Sequence, residues 1–144
     1  MIKLIKWVGF FLILGLILPT FSSCEQPPTV NPNPDLTTNI VGGYTGNYVV
    51  NFEADPANNY SSQINLVVTR VDKTIIKIDA QGGDSFQCTL SGTPNNSQLS
   101  NITHTTGAYS VANDIEGYFS SGTLYYKVTG VANGGNFYAE FTVL

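Results

Sequence analysis

His104, in the run NITHTT, is the chain's one histidine, and Cys88, in FQCTLSG, is one of two cysteines. An imidazole that takes the proton of a thiol makes it a nucleophile. Cys88, however, alternates with Phe86 and Leu90 on the apolar side of a strand pattern. There a cysteine behaves as a small inert hydrophobe. Paired carboxylates serve glycoside hydrolysis, and Asp114 and Glu116 in NDIEG stand two apart, on one face of a strand or within a turn. Solvated turn acids are the commoner use of such a pair. Glu53, Asp55 and Asn58 in EADPANN offer oxygen atoms to calcium, without the fixed spacing of a calcium loop. Gly-rich phosphate loops, zinc clusters and Ser-His-Asp motifs are absent from the sequence. The expectation is a non-enzyme with no catalytic residues, no metal and no cofactor.

Two arrangements suit binding. In one, Arg70 turns inward near the end of a barrel, with Tyr126 nearby, and meets the acid group of a small apolar or amphipathic ligand. In the other, Tyr125 and Tyr138 point outward among threonines and asparagines, a surface suited to a glycan or a protein partner. Arg70, Lys73, Lys77 and Lys127 are the only bases from residue 24 onward, against ten acids, a net charge of −6. That balance repels phosphate backbones and argues against nucleic acid.

The elements that position these residues are strands. Only 11% of residues are charged and 12% are aromatic, and from Ile40 short alternating runs are divided by turn signals at roughly ten-residue spacing. Tyr44, Tyr48, Val50 and Phe52 share one face of the first run. Strands are expected at 43–53, 63–71, 75–80, 86–92, 98–104, 107–112, 115–120, 122–130 and 136–143. Asn133-Gly134 suits a type I′ turn, which pairs Tyr126 with Phe141, Lys127 with Glu140 and Val128 with Ala139, so that charge and burial agree. The run QINLVVTRVDKTIIKIDA needs an odd loop or a bulge to bring Ile64, Leu66, Val68, Ile76 and Ile78 together. Hairpin-length links imply an all-β meander, which closes most simply into a small antiparallel up-and-down barrel of about eight strands. An open β-sandwich is the alternative. An interior holding Tyr44, Tyr48, Phe52, Phe86, Phe119, Tyr126, Phe137 and Phe141 favours a packed core over a ligand cavity.

The first residues read differently. MIKLIK is basic, WVGFFLILGLIL is apolar over about a dozen residues, and Pro19 precedes FSSC. The run is shorter than the ~20 apolar residues of a membrane span and reads as a signal peptide, residues 1–23. Phe21-Ser22-Ser23-Cys24 resembles a bacterial lipobox. The resemblance implies that Cys24 is the lipidation site and mature N-terminus, anchored to the membrane through its acyl chains. Glu25, not Asp, follows the cysteine, which favours an outer-membrane lipoprotein facing the periplasm or the cell surface. Residues 24–39, with four prolines and no apolar periodicity, read as an extended tether, and residues 40–144 as the β-domain.

The spacing of GGYTGNYVV, INLVVTRVDKTIIKID and GTLYYKVTG…FYAEFTV resembles the small lipocalin-like (calycin-like) lipoproteins of Gram-negative bacteria. Gly43-Tyr44-Thr45 stands where that family has Gly-x-Trp. The resemblance implies a barrel; its carrier role would be the alternative to a glycan- or protein-binding module of the cell envelope, with a hydrolase a distant third.

Overall fold

The computed structural model describes residues 34–144. The expected signal peptide, Cys24 and the tether up to residue 33 lie outside the described residues. Eight antiparallel strands follow in chain order: β1 (Gly42–Phe52), β2 (Tyr60–Asp72), β3 (Ile75–Ala80), β4 (Ser85–Thr93), β5 (Asn96–Thr106), β6 (Ala112–Ser120), β7 (Thr123–Ala132) and β8 (Gly135–Val143). Each pairs with the next, and β8 returns to β1 through Tyr48↔Phe141, Val50↔Ala139 and Phe52↔Phe137. The result is a closed up-and-down barrel, not an open sandwich. Closure leaves no sheet edge that must be shielded from other chains.

Alternation decides which side chains fill it. Along β7, Leu124, Tyr126 and Val128 are buried while Tyr125, Lys127 and Thr129 are partly exposed. The β7–β8 register is the expected one, with Tyr126↔Phe141, Lys127↔Glu140 and Val128↔Ala139. Its turn holds Asn133 at φ 53° and Gly134 at φ 84°, the left-handed pair that Asn-Gly supplies at least cost. In the β2–β3 hairpin the odd residue is absorbed by a bulge between Arg70 and Asp72, so that Val68 faces Ile78 and Arg70 faces Ile76. Tyr48, Phe86, Phe119, Tyr126, Phe137 and Phe141 are all buried in the interior, and Tyr44 and Phe52 pack against its edge.

Two segments depart from the expected pattern. Residues 107–112, expected as a strand, form a 3-10 turn over Gly107–Val111 before β6 begins at Ala112. Gly107 takes φ 60°, and a Cβ there would collide with the Asp84 carboxylate, which accepts the Ala108 N–H at 2.8 Å. The turn sends Tyr109 into the barrel, where it is fully buried. Just before it, β5 carries extra residues: Thr89 faces Ser100, Gln87 faces Thr103 and Ser85 faces Thr106. Asn101 at φ 54° and His104 at φ 49° take up the excess. These bulges bend β5 away from β6, whose pairing with it runs from Asn96↔Ser120 to Leu99↔Gly117.

The second departure is at the opposite end. Asp35 to Asn39, expected as the end of a tether, pack on the barrel: Leu36 and Thr37 are buried with Ile40. Leu36 donates its N–H to the Lys73 carbonyl in the β2–β3 turn at 2.8 Å, and Asn39 reaches Asn95 in the β4–β5 turn. Two prolines upstream conceal from composition a short apolar pair, Leu36 and Ile40, that needs a surface to cover. One barrel end is thus covered by the N-terminal segment and the other by the Tyr109 turn.

Candidate functional site

The outer face of β6, β7 and β8 gathers the functional groups that the sequence placed outward. Cross-strand pairing sets three rows upon it: Tyr118–Tyr125–Thr142, Glu116–Lys127–Glu140, and Asp114–Thr129–Tyr138. The Tyr118 and Tyr125 rings lie side by side, 5.5 Å between centroids and inclined by 32°. Tyr118 is exposed and Tyr125 half-buried, so the pair offers a broad aromatic surface to solvent. In the middle row Lys127 stands between two glutamates, and its ammonium lies 5.0 Å from the centroid of the Tyr138 ring. That cation–π contact links the middle row to the Tyr138 ring of the next. Burial, and then the carboxylates of Glu140 and Glu116, raise the Tyr125 phenol above its ordinary pKa. It stays a neutral donor at any physiological pH.

Beside Tyr138 the face dips into a shallow groove of about 290 Å³, lined by Asn113, Lys127, Thr129, Val131, Asn136 and Tyr138. A register shift between Ala112 and Asp114 borders it, and Gly130 is among its lining residues; a Cβ on Gly130 would strike the Val111 backbone. Aromatic planes flanked by carboxylates, an amide pair and a threonine hydroxyl present both stacking surface and hydrogen-bonding groups. Such a face can hold a hydroxylated ring by its C–H side while its hydroxyls reach Glu116, Glu140 or the asparagines.

The four expected ligand-binding residues divide. Tyr125 and Tyr138 are brought to one face, with the Lys127–Glu140 pair between them along the strands. Arg70 and Tyr126 share no site. Arg70 pairs with Asp35 at 2.8 Å at the covered end, its side chain half exposed, while Tyr126 is buried with its hydroxyl on that of Tyr109. Hydrogen bonds from the Thr37 hydroxyl, then its amide, and the charge of Arg70 hold the Asp35 carboxyl below its usual range.

The weaker candidates are also placed. Cys88 points into the core, where burial pushes its thiol up to about 12, whereas His104 stands exposed on a bulge of β5. They are not brought together. Asp114 accepts the Ile115 N–H at 2.9 Å, and Glu116 stands one row further along β6, opposite Lys127 in the strand register. Glu53 accepts the Asn136 N–H at 2.9 Å, and Asn58 donates to Asp55, which closes the β1–β2 loop upon itself. Among the described residues no cluster of three or more metal-ligating side chains forms.

Tyr118 and Tyr109 were missed. The signal for Tyr118 was Ser121-Gly122, which turns at φ 48° and φ 90° between β6 and β7 and sets Tyr118 opposite Tyr125. Tyr109 follows Gly107 by two residues, but no local pattern says that its ring enters the core.

No protein-family model and no curated protein matches this chain. Among solved structures, it is similar to a redesigned beta barrel at 16% identity and a TM-score of 0.38, over 77% of this chain and 96% of that one.

Proposed function

We propose that the chain is a lipid-anchored, extracytoplasmic binding module of the bacterial envelope, non-catalytic, whose β6–β7–β8 face takes a neutral glycan. The observation that carries this reading is the solvent-facing Tyr118–Tyr125 pair, 5.5 Å between rings, flanked in the next row by Glu116 and Glu140. Around Lys127 the face holds three acids, Asp114, Glu116 and Glu140, which disfavours an acidic polysaccharide and leaves a neutral one. The lipobox resemblance at Cys24 supports attachment to the outer membrane.

The test is a titration of cello-, chito- and xylo-oligosaccharides followed by amide chemical shifts. Binding should move amides of β6, β7 and β8, and Tyr125→Ala should weaken it about tenfold, ~1.4 kcal/mol. Arg70→Ala, on β2 and outside the β6–β8 face, should leave it unchanged. Shifts confined to any other face would overturn the glycan reading. For the anchor, Cys24→Ala should leave the protein in the soluble extracytoplasmic fraction or as uncleaved precursor, and tight membrane association of that variant at normal mature mass would refute it.

A further inference from the structure

The barrel interior holds one large ring that no strand supplies. Tyr109 comes from the 3-10 turn Gly107–Val111, and its ring is walled by Phe86 at 4.8 Å, Tyr48 at 6.3 Å and Tyr126 at 6.5 Å, each met edge-on. Its hydroxyl meets that of Tyr126 at 2.7 Å. Beside it Tyr48 is 1% exposed, and its buried hydroxyl has no hydrogen-bond partner among the described residues. A buried phenol without a partner is uncommon and calls for a group to satisfy it. The pocket that Tyr109 occupies therefore offers three aromatic walls and two hydroxyls, of which Tyr109 uses one.

The segment that delivers Tyr109 is lightly held. Two hydrogen bonds tie it to the barrel, Ala108 N–H to the Asp84 carboxylate and Tyr109 to Tyr126. It begins at a left-handed glycine, Gly107, and spans the seam where β5 and β6 are no longer paired. Withdrawing it breaks no strand ladder. Few backbone bonds and no strand pairing are marks of a unit that opens without global unfolding, and the burial of the Tyr109 ring is what such opening gives up.

We propose that Gly107–Val111 is a removable plug, and that Tyr109 stands in for a compact phenol that the barrel binds when the plug withdraws. The ligand class follows from the walls and the hydroxyls: one aromatic ring bearing hydroxyl groups that pair with Tyr126 and Tyr48. The site is separate from the outer face and does not rest on the glycan reading. Closed, the plug lowers apparent affinity by the fraction of time the pocket is open.

The experiment titrates 4-methylphenol, which reproduces the tyrosine side chain, into the full chain, with toluene as the control lacking a hydroxyl. The proteins are wild type, Asp84→Ala and Tyr109→Ala, read by amide chemical shifts. Expected are shifts around Tyr48, Phe86 and Tyr126 in all three, with affinity rising from wild type through Asp84→Ala to Tyr109→Ala, and toluene at least tenfold weaker. An Asp84→Ala affinity equal to that of wild type, a folded Tyr109→Ala that binds no 4-methylphenol, or shifts on the β6–β8 outer face would each overturn it. Should Tyr109→Ala fail to fold, hydrogen exchange of wild type decides. The amides of 108–111 should exchange at least tenfold faster than the interior amides of β7, and equal rates would show that the plug does not open.

Discussion

The Tyr109 hydroxyl lies 2.7 Å from that of Tyr126 in a space closed to solvent, and the two rings reach it from different directions, one from a 3-10 turn and one from β7. One hydroxyl donates and the other accepts, so each is the other's replacement for water. Desolvation makes the pair conditional: neither oxygen tolerates loss of its partner as well as it tolerates loss of both.

Tyr126→Phe should therefore cost about 1–3 kcal/mol, because it strands a buried hydroxyl on Tyr109. Tyr109→Phe should cost a similar amount. The double variant should cost less than the sum, since both polar groups leave together. Tyr48→Phe, which removes a hydroxyl with no protein partner, should be neutral or stabilising. Urea unfolding of the four variants checks this, and additive costs for Tyr109 and Tyr126 would show the two hydroxyls to be independent.

Alkaline pH should unfold the barrel from the inside. Burial pushes the Cys88 thiol from 9.0 up to about 12, and raises the phenols of Tyr48, Tyr109 and Tyr126 well above 10.0. The folded state keeps these groups protonated while the unfolded chain releases their protons first. Stability is thus fully present below about pH 9 and falls as pH rises, by up to ~1.4 kcal/mol per pH unit for each group titrating in the unfolded chain. Urea midpoints should hold to pH 9 and decline beyond it. Cys88→Ala should postpone the onset toward pH 10, and a midpoint unchanged at pH 11 would mean that the phenols are not buried.

How much of this was legible depends on whether local signals agreed. At β7–β8 they did: Asn133-Gly134 fixes the loop, and the same register pairs Lys127 with Glu140 and Tyr126 with Phe141. At β2–β3 the apolar set alone required an extra residue, and the bulge near Arg70 supplies it. Asn101 and His104 are of types that tolerate positive φ, but in the mainly polar run NITHTT no apolar alternation fixes where β5 must bulge; the register shifts against β4 do. Tyr109 is inward because the end of the barrel needs a ring, a requirement that exists only once eight strands have met. The outer site was half legible. Tyr125 and Tyr138 share a face by parity, whereas Arg70 found Asp35, a partner 35 residues earlier in a segment that prolines had marked as tether.

Close strand packing gives a paired test within β1. A Cβ on Gly46 would stand 2.5 Å from the Phe141 ring, whereas one on Gly43 would meet nothing within 4 Å. Gly46→Ala must displace the ring or the strand and should cost about 1–3 kcal/mol. Gly43→Ala, three residues away in the same strand, should be neutral within ~0.5 kcal/mol. Thermal unfolding of the two separates steric exclusion from any general effect of alanine in a strand.

The N-terminal cover offers the sharpest contrast between burial and charge. Leu36 is 5% exposed and its N–H bonds the Lys73 carbonyl, while the nearby Asp35–Arg70 ion pair has side chains 28% and 50% exposed. Truncating a buried leucine removes apolar contact and leaves a cavity, so Leu36→Ala should cost about 2–5 kcal/mol. An exposed ion pair gives up little because water and salt screen it, so Arg70→Ala should cost under ~1 kcal/mol. If the cover is part of the cooperative fold, the Leu36→Ala loss appears in the single unfolding transition of the whole barrel. A loss smaller than that of Arg70→Ala would detach residues 35–40 from the folded unit and return them to the tether.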